Sequence, residues 1–485
     1  MERIEKVDAR TAGAAGWRSL ALAFAVAASS VAASGQMASP GSSASDPFLG
    51  SVTVAKVTPQ ALRVSLDQAI DMGLRQNLGM VLQQQSQRST EAETLTAFNA
   101  LMPSISAQAQ TSVQQFDIVA LGFKPSLLAQ AAPGVHVSSI VKVDVTSAQL
   151  NLSQVLFNAT DFELYRTAKE DVAAARLNTL NARGTVVVGV ADAYLQVLAD
   201  QAQVDNAKAL LAADDLFLRQ ARDQDQAGVA THLDVLRAQV QDQAQQEALV
   251  EAQVSVDKDK IALKRRIGVD PAQAIQLTDP APYDELATLS LDEAKTIAFG
   301  RRKDYLALLA QIRALHSERK AVRYERLPTL SFNGNYGVTG ETHGLYHGTF
   351  YAAGNLDFPI FKEAQLRGDR EVVEAQLSGL LQRAGDLRVA IDGQLRSSLL
   401  DVKAADQLVA VERSQVELAK EEVDQATQRF QAGVSDDLPV VQAQATLANA
   451  QSSLVNGLYQ YNQAKLALAR NTGVVETQYK DYLGQ

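Results

Sequence analysis

The chain has 485 residues, a net charge of −10, 46% apolar residues, 6% aromatics and no cysteine. The acidic balance excludes nucleic acid as a partner, because phosphate backbones are met by basic faces. The missing cysteine excludes disulfides and thiolate metal sites and leaves no candidate for a lipid-carrying N-terminal cysteine.

Taken in chain order, the first feature is an apolar run from Leu20 to Ala33, behind Arg18 and ending in small residues. It is shorter than the ~20 apolar residues a membrane-spanning helix needs, and it predicts a signal peptide over 1–35 and export. Residues 36–62, rich in Ser, Ala and Pro, are expected to be a flexible lead-in. No later stretch reads as a membrane helix, so residence in a membrane would have to come from β-strands.

From residue 63 the chain is written twice. Ser65-Leu66-Asp67-Gln68-Ala69 returns as Ser290-Leu291-Asp292-Glu293-Ala294, and Met102-Pro103-Ser104 returns at the same offset as Leu327-Pro328-Thr329. Gln-Ala-Gly-Val occurs at 226–229 and again at 431–434, each time before Leu-x-Val-x-x-Ala-Gln. A repeat of this length is one structural unit copied in tandem. The first copy spans 63–268 and the second 289–473, with a proline-bearing linker at 269–288 and a tail at 474–485.

Each copy predicts the same elements. A helix comes first (66–102; 291–327), capped by Ser65 or Ser290 and ended by Pro103 or Pro328, which forbid helix at the preceding residue. Two extended runs follow, then a helix of about 66 residues (160–225; 364–430), about 100 Å long at 1.5 Å per residue. The glycine of Gln-Ala-Gly-Val stops it as a left-handed cap, and a last helix (231–267; 436–472) returns. The short helices are about half as long as the long ones, so a short helix of one kind is expected to continue the other along the same groove. Helices of this length cannot surround a compact core and predict an extended coiled-coil wall.

The extended runs alternate. Leu330, Phe332, Gly334, Tyr336 and Val338 face one way, and Thr329, Ser331, Asn333, Asn335 and Thr339 the other. In the first copy Ile105, Ala107, Ala109 and Val113 oppose Ser104, Ser106, Gln108, Gln110 and Ser112. Val141, Val143 and Val145 oppose Lys142, Asp144 and Thr146, but Leu150 and Leu152 break that parity, so a β-bulge is expected near Ser147. Strands of about ten residues with one apolar face fit a transmembrane barrel, and also the half-buried sheet of a soluble protein. Four strands cannot close a membrane barrel, for which about eight is the minimum, whereas three chains pooling theirs would supply twelve.

The duplication, the Ser-Leu-x-x-Ala helix starts, the Leu327-Pro328-Thr329-Leu330 junction and the doubled Gln-Ala-Gly-Val turns together resemble the TolC-type outer-membrane efflux family over 63–473. The resemblance implies a mainly α fold with a β-barrel part: tandem-duplicated coiled-coil hairpins forming a trimeric α-barrel, plus four strands per chain in a 12-stranded transmembrane β-barrel. It implies a homotrimer in the outer membrane with a long periplasmic extension. Such a trimer is a passive exit channel for a tripartite efflux or type I secretion system, joined by a periplasmic adaptor (membrane fusion protein) to an inner-membrane transporter. The doubled turns then become hairpin tips, with Gly228, Val229, Gly433 and Val434 as adaptor-docking residues. Asp234, with Asp436 and Asp437, would form a carboxylate constriction favouring cations. Pro103 and Pro328 mark the helix-to-strand junctions. Phe430 and Ser435 stand where some members use a Tyr and an Arg to hold the tip shut, so that polar lock is not expected here.

No nucleophile elbow, phosphate loop, zinc signature or paired catalytic carboxylates occur, and no enzyme activity, cofactor or metal is expected; His343 and His347 share a predicted loop without nearby acids. The competing reading is a soluble periplasmic coiled-coil scaffold or adaptor without a pore.

Overall fold

The computed structural model describes residues 43–52, 57–120, 122, 140–228, 231–279, 286–287, 289–432, 434 and 438–483. The expected signal peptide lies outside the described residues. In order the elements are β1 (Leu62–Val64), α1 (Leu66–Gln76), α2 (Leu78–Asn99), β2 (Ser104–Asp117), β3 (Ile140–Phe157), α3 (Ala159–Gln226), α4 (His232–Ile267), β4 (Ile275–Leu277), α5 (Leu291–Arg301), α6 (Lys303–Tyr324), β5 (Thr329–Glu341), β6 (Tyr346–Asp357), α7 (Glu363–Gln431), α8 (Leu438–Asn471) and α9 (Val475–Leu483).

Both copies open on a capping box. The Ser65 hydroxyl accepts from the Gln68 amide at 3.2 Å while the Gln68 side chain accepts from the Ser65 amide at 3.1 Å. Ser290 and Glu293 do the same at 3.3 and 3.1 Å. The single helices expected over 66–102 and 291–327 are instead each broken once, at Asn77 (ψ 130°) and Arg302 (ψ 118°). These two residues occupy equivalent positions in the repeat. Asn77 ends α1 and restarts the chain as α2, its side chain accepting from the Gly79 amide at 3.0 Å. Arg302 is held by Asp304 at 2.7 Å and by Gln394 of α7 at 2.6 Å. The helices also stop earlier than expected, at Asn99 and Tyr324, because a turn is completed before each proline.

The long helix α3 is the spine. Its sheet-side half packs on α2, where Thr94 donates to the Ala168 carbonyl at 3.2 Å, and on α6, where Arg313 meets Glu170 at 2.8 Å. Its other half packs on α4, where Gln245 donates to the Ala207 carbonyl at 3.4 Å, and on α8, where Ser452 donates to Gln203 at 2.9 Å. α2 and α4 thus follow one another along α3, which is how a half-length return arm leaves no empty groove. α7 packs on α8 and α6.

The largest core cluster lies between these halves and joins Val64, Leu66, Ile70, Val187, Val190, Tyr194, Leu263, Ile267, Ile275, Leu466, Val475 and Leu483. Segments expected to be connecting chain contribute to it. The linker 269–288 supplies β4, which pairs in parallel with β1 (Leu62↔Ile275). Tyr194 pins this pair to α3, donating to the Val64 carbonyl at 3.1 Å. The lead-in 36–62 is anchored in part: Leu78 donates to the Gly50 carbonyl at 3.0 Å and the Asn77 side-chain amide to the Phe48 carbonyl at 2.7 Å. The tail closes as α9, with Tyr479 donating to Asp67 at 2.6 Å. Among the described residues, no helix is long and apolar enough to cross a membrane.

Candidate functional site

The four long strands form one antiparallel sheet in the order β2-β3-β5-β6. Residues directly opposite in such a sheet share a face, so the register sorts the side chains into rows. One face carries Ile105, Leu152 and Ala352; then Ala107, Leu150, Tyr336 and Phe350; then Ala109, Ala148 and Val338. The other carries Ser106, Asn151 and Asn335; then Gln108, Gln149 and Thr349; then Gln110, Ser147, Thr339 and His347. The polar face bonds to itself, with Gln149 donating to Thr339 at 3.2 Å and Ser153 to Asn333 at 2.8 Å. The apolar face is uncovered within the chain: Phe350 is 81% exposed. Along β5 the band runs from Leu330 to Val338, about 27 Å of strand, or about 20 Å high at the ~40° tilt of barrels.

The bulge expected near Ser147 is absent. β2 and β3 stay in register from Ser104↔Ser153 to Asp117↔Ile140, and the recorded shift lies between Val155 and Phe157, where β3 gives way to α3. The alternation reverses because the surroundings change along an unbroken strand. At the Thr111–Thr146 pair, whose hydroxyls are 3.0 Å apart, the apolar band ends. Beyond it Lys142 and Asp144 occupy the face that Leu150 and Leu152 occupy below.

The opposite end carries the tips. At the first, the Ala227 amide donates to Asp223 and the Gly228 amide to Asp225, both at 3.0 Å. Gly228 is left-handed (φ +72°) with open space where a Cβ would stand, so this turn needs glycine for its backbone and leaves that backbone accessible. At the second, the Val434 amide donates to the Arg429 carbonyl at 3.1 Å, closing α7, and the Val434 side chain is exposed. Val229, Gly433, Asp436 and Asp437 lie outside the described residues. Asp234 sits in the first turn of α4, where its carboxylate accepts from the Thr231 amide at 2.8 Å and hydroxyl at 2.9 Å, and lies 3.7 Å from Arg237. Its charge therefore already serves the helix N-terminus, where a carboxylate is stabilised by free amides. Pro103 and Pro328 stand immediately before β2 and β5.

What joins the tips is a feature that sequence reasoning missed. Phe430 of α7 packs on Phe217 of α3 with ring centroids 5.4 Å apart. Leu218, Ala221, Val235, Ala238 and Val440 complete the cluster. Both hairpins thus meet through an apolar contact, in the position where a polar lock was not expected. The available signal was two phenylalanines near helix ends in a chain with few aromatics. Among the described residues, no group of three or more His, Asp or Glu is arranged to hold a metal.

A family model described as outer membrane efflux protein matches residues 69–269 and 297–474, one segment in each copy. The pyoverdine export outer membrane protein OpmQ of Pseudomonas aeruginosa is 28% identical over 337 residues, covering 68% of this chain and 70% of that protein. The toluene efflux pump outer membrane protein TtgF of Pseudomonas putida is 26% identical over 306 residues, covering 60% and 62%. The CmeC outer membrane channel of Campylobacter jejuni superposes with a TM-score of 0.71 at 18% identity, over 88% of this chain and 92% of that one. The chain therefore belongs to the outer membrane efflux protein family, whose members are channels of the outer membrane and not enzymes.

Proposed function

We propose that three copies of this chain form a passive exit duct, in which the sheets close a 12-stranded barrel in the outer membrane and the helices a tube through the periplasm. The observation that carries this reading is a sheet with an uncovered apolar face whose two edge strands, β2 and β6, each pair on one side only among the described residues. An edge left open in this way is a template for another chain. The helical layer supports the same closure. α4 buries one heptad seam against α3 (Val235, Ala238, Val256, Leu263) and leaves a second, Leu233, Leu236, Val240, Val250, Val254 and Ile261, exposed. α7, which packs on α8 and α6, leaves Leu400, Val411 and Leu418 exposed. Two apolar seams fit a neighbour on either side.

In this duct an adaptor docks at the tips through Gly228, Val229, Gly433 and Val434, and an inner-membrane transporter supplies the energy. Asp234, Asp436 and Asp437 ring the aperture. The relatives are named for different cargoes, pyoverdine and toluene, which fits a duct that takes its selectivity from its pump. Conductance in a planar bilayer tests the reading, comparing the wild type with Asp234→Asn. Asparagine keeps a side-chain oxygen for the Thr231 amide and removes only charge. A small cation-selective current whose selectivity falls in the variant is expected. Unchanged selectivity removes Asp234 from the constriction, and failure to insert into lipid removes the duct.

A further inference from the structure

The coiled coil between α3 and α4 is unusual in what it buries. Asp214 of α3 is 2% exposed and Asp242 of α4 is 6% exposed, and the Oδ1 atom of each is buried with no hydrogen-bond partner. Each carboxyl has one weak or moderate donor, Gln241 to Asp214 at 3.4 Å and Gln246 to Asp242 at 2.9 Å. Further from the tip, Asp200 of α3 lies against Asp259 of α4, and its Oδ2 is likewise buried without a partner.

Among the described residues, none of these four carboxyls is ion-paired, and Lys258 and Lys260, which flank Asp259 in the chain, are the charged residues of α4 next to it. The charged neighbour acting on Asp214 is Asp242, and on Asp200 it is Asp259. Nearby Lys208 and Arg219 are turned to surface acids, Asp205 and Asp215. α8, the other helix packed on this half of α3, carries only Lys465 and Arg470, both at its far end. Burying an unpaired carboxylate is costly, and such a group takes up a proton instead.

The duplication provides the internal comparison. At the offset that superposes the two Gln-Ala-Gly-Val turns, Asp214 and Asp242 correspond to Ala419 and Leu447, and Asp200 and Asp259 to Ala405 and Ala464. In the second hairpin Ala419 and Leu447 belong to one apolar cluster with Val416, Ala450 and Leu454. Among its described residues the second hairpin buries one lone carboxyl, Glu412, and no acid pair at these levels. The fold is therefore satisfied by apolar residues there, and the paired acids of the first hairpin are not required for packing.

We infer that the α3–α4 hairpin is a proton-controlled hinge: Asp214, set against Asp242, and Asp200, set against Asp259, each hold a proton while α4 lies on α3, and release it to water as α4 loosens. Burial and the neighbouring carboxyl push Asp214 and Asp200 each up to about 6. In the loosened hairpin they return to ~3.9. A carboxyl raised in the closed form stabilises that form at low pH, and the stabilisation is lost as pH rises from ~3.9 through about 6. The hairpin is thus tight in acid and looser near neutrality. Asp214 lies about 18 Å along the helix from the tip. That loosening would widen the aperture rests on the duct reading; the hinge itself does not.

The test is amide hydrogen exchange on the full-length protein in detergent at pH 5 and pH 8, with rates corrected for intrinsic chemistry. Linkage for Asp214 alone gives an opening of residues 236–250 about tenfold more frequent at pH 8. Replacing the pair by the second hairpin's own residues, Asp214→Ala with Asp242→Leu, should flatten that dependence at 236–250 while leaving it at 253–262. Corrected exchange of 236–250 that is equal at both pH values in the wild type overturns the proposal. So does a dependence that survives the double substitution. A pH dependence that disappears when EDTA is present at both pH values would assign the carboxyls to a metal cation and likewise overturn it. None of these outcomes depends on whether the protein conducts.

Discussion

Phe430→Ala tests what holds the two hairpins together at their tips. Phe430 is buried in a cluster with Phe217, Leu218, Ala221, Val235, Ala238 and Val440, and its ring meets Phe217 at a 55° tilt. Truncating a buried phenylalanine costs about 3–5 kcal/mol, and the loss grows with the cavity that stays open. This cluster lies at helix ends, where the surroundings can collapse, so the lower figure applies. A loss of about 3 kcal/mol is about a hundredfold in the equilibrium between packed and separated tips. Hydrogen exchange should therefore speed up by that factor in residues 215–226 and 424–431 and stay unchanged around Tyr194, whose core is separate. Phe430→Tyr, which keeps the ring, should behave as the wild type in the same assay. In a planar bilayer the alanine variant should also conduct more than the wild type. If exchange at both tips were the same in the alanine variant, the apolar contact would not be what holds them. If it rose equally throughout α3, the variant would have lost global stability and not a local lock.

The remaining predictions address the sheet, the repeat ends and the core. Leu150→Arg puts a charge on the apolar face at a cost of about 2–4 kcal/mol at mid-membrane. Its neighbour Gln149→Arg points to the opposite face and should be tolerated, so recovery in outer-membrane fractions should fall for the first only; equal behaviour would contradict the register. Gly268 and Gly473 both end a copy at positive φ, +77° and +76°. A methyl at Gly268 meets Gln76 as far in as its Cβ, at 2.6 Å, and at Gly473 it meets the Arg302 backbone nitrogen at 2.7 Å, so neither neighbour can swing clear. Gly268→Ala and Gly473→Ala should therefore each cost more than the about 1–2 kcal/mol of left-handed strain alone, read as a lower melting temperature for both. Tyr194→Phe removes the donor to the Val64 carbonyl and should cost about 1–3 kcal/mol, seen as faster exchange at β1 and β4 with the tips unaffected.

Much of this architecture was legible because it is repeated. A second copy turned weak local signals into strong ones: a serine before a helix says little, but Ser65 and Ser290 before matching helices, with Gln68 and Glu293 three residues on, mark the same capping box twice. The helix breaks stayed hidden for the converse reason. Asn77 and Arg302 are equivalent in position but unlike in chemistry, and neither is a glycine or proline. One restarts the helix with its own amide and the other depends on Gln394, about 90 residues away in the chain. The misplaced bulge has a different origin. Alternation reports which face is apolar, and that depends on the medium beside the strand, so an unbroken strand leaving a lipid band shows the same reversal as a register slip. The tips show the limit most clearly. Asp234 was legible as an acid near an aperture, but the sequence did not show that its carboxylate is bound to Thr231. A duplicated chain specifies its common frame redundantly, so differences between its copies, acids at 214 and 242 against Ala419 and Leu447, are where a demand other than folding can be read.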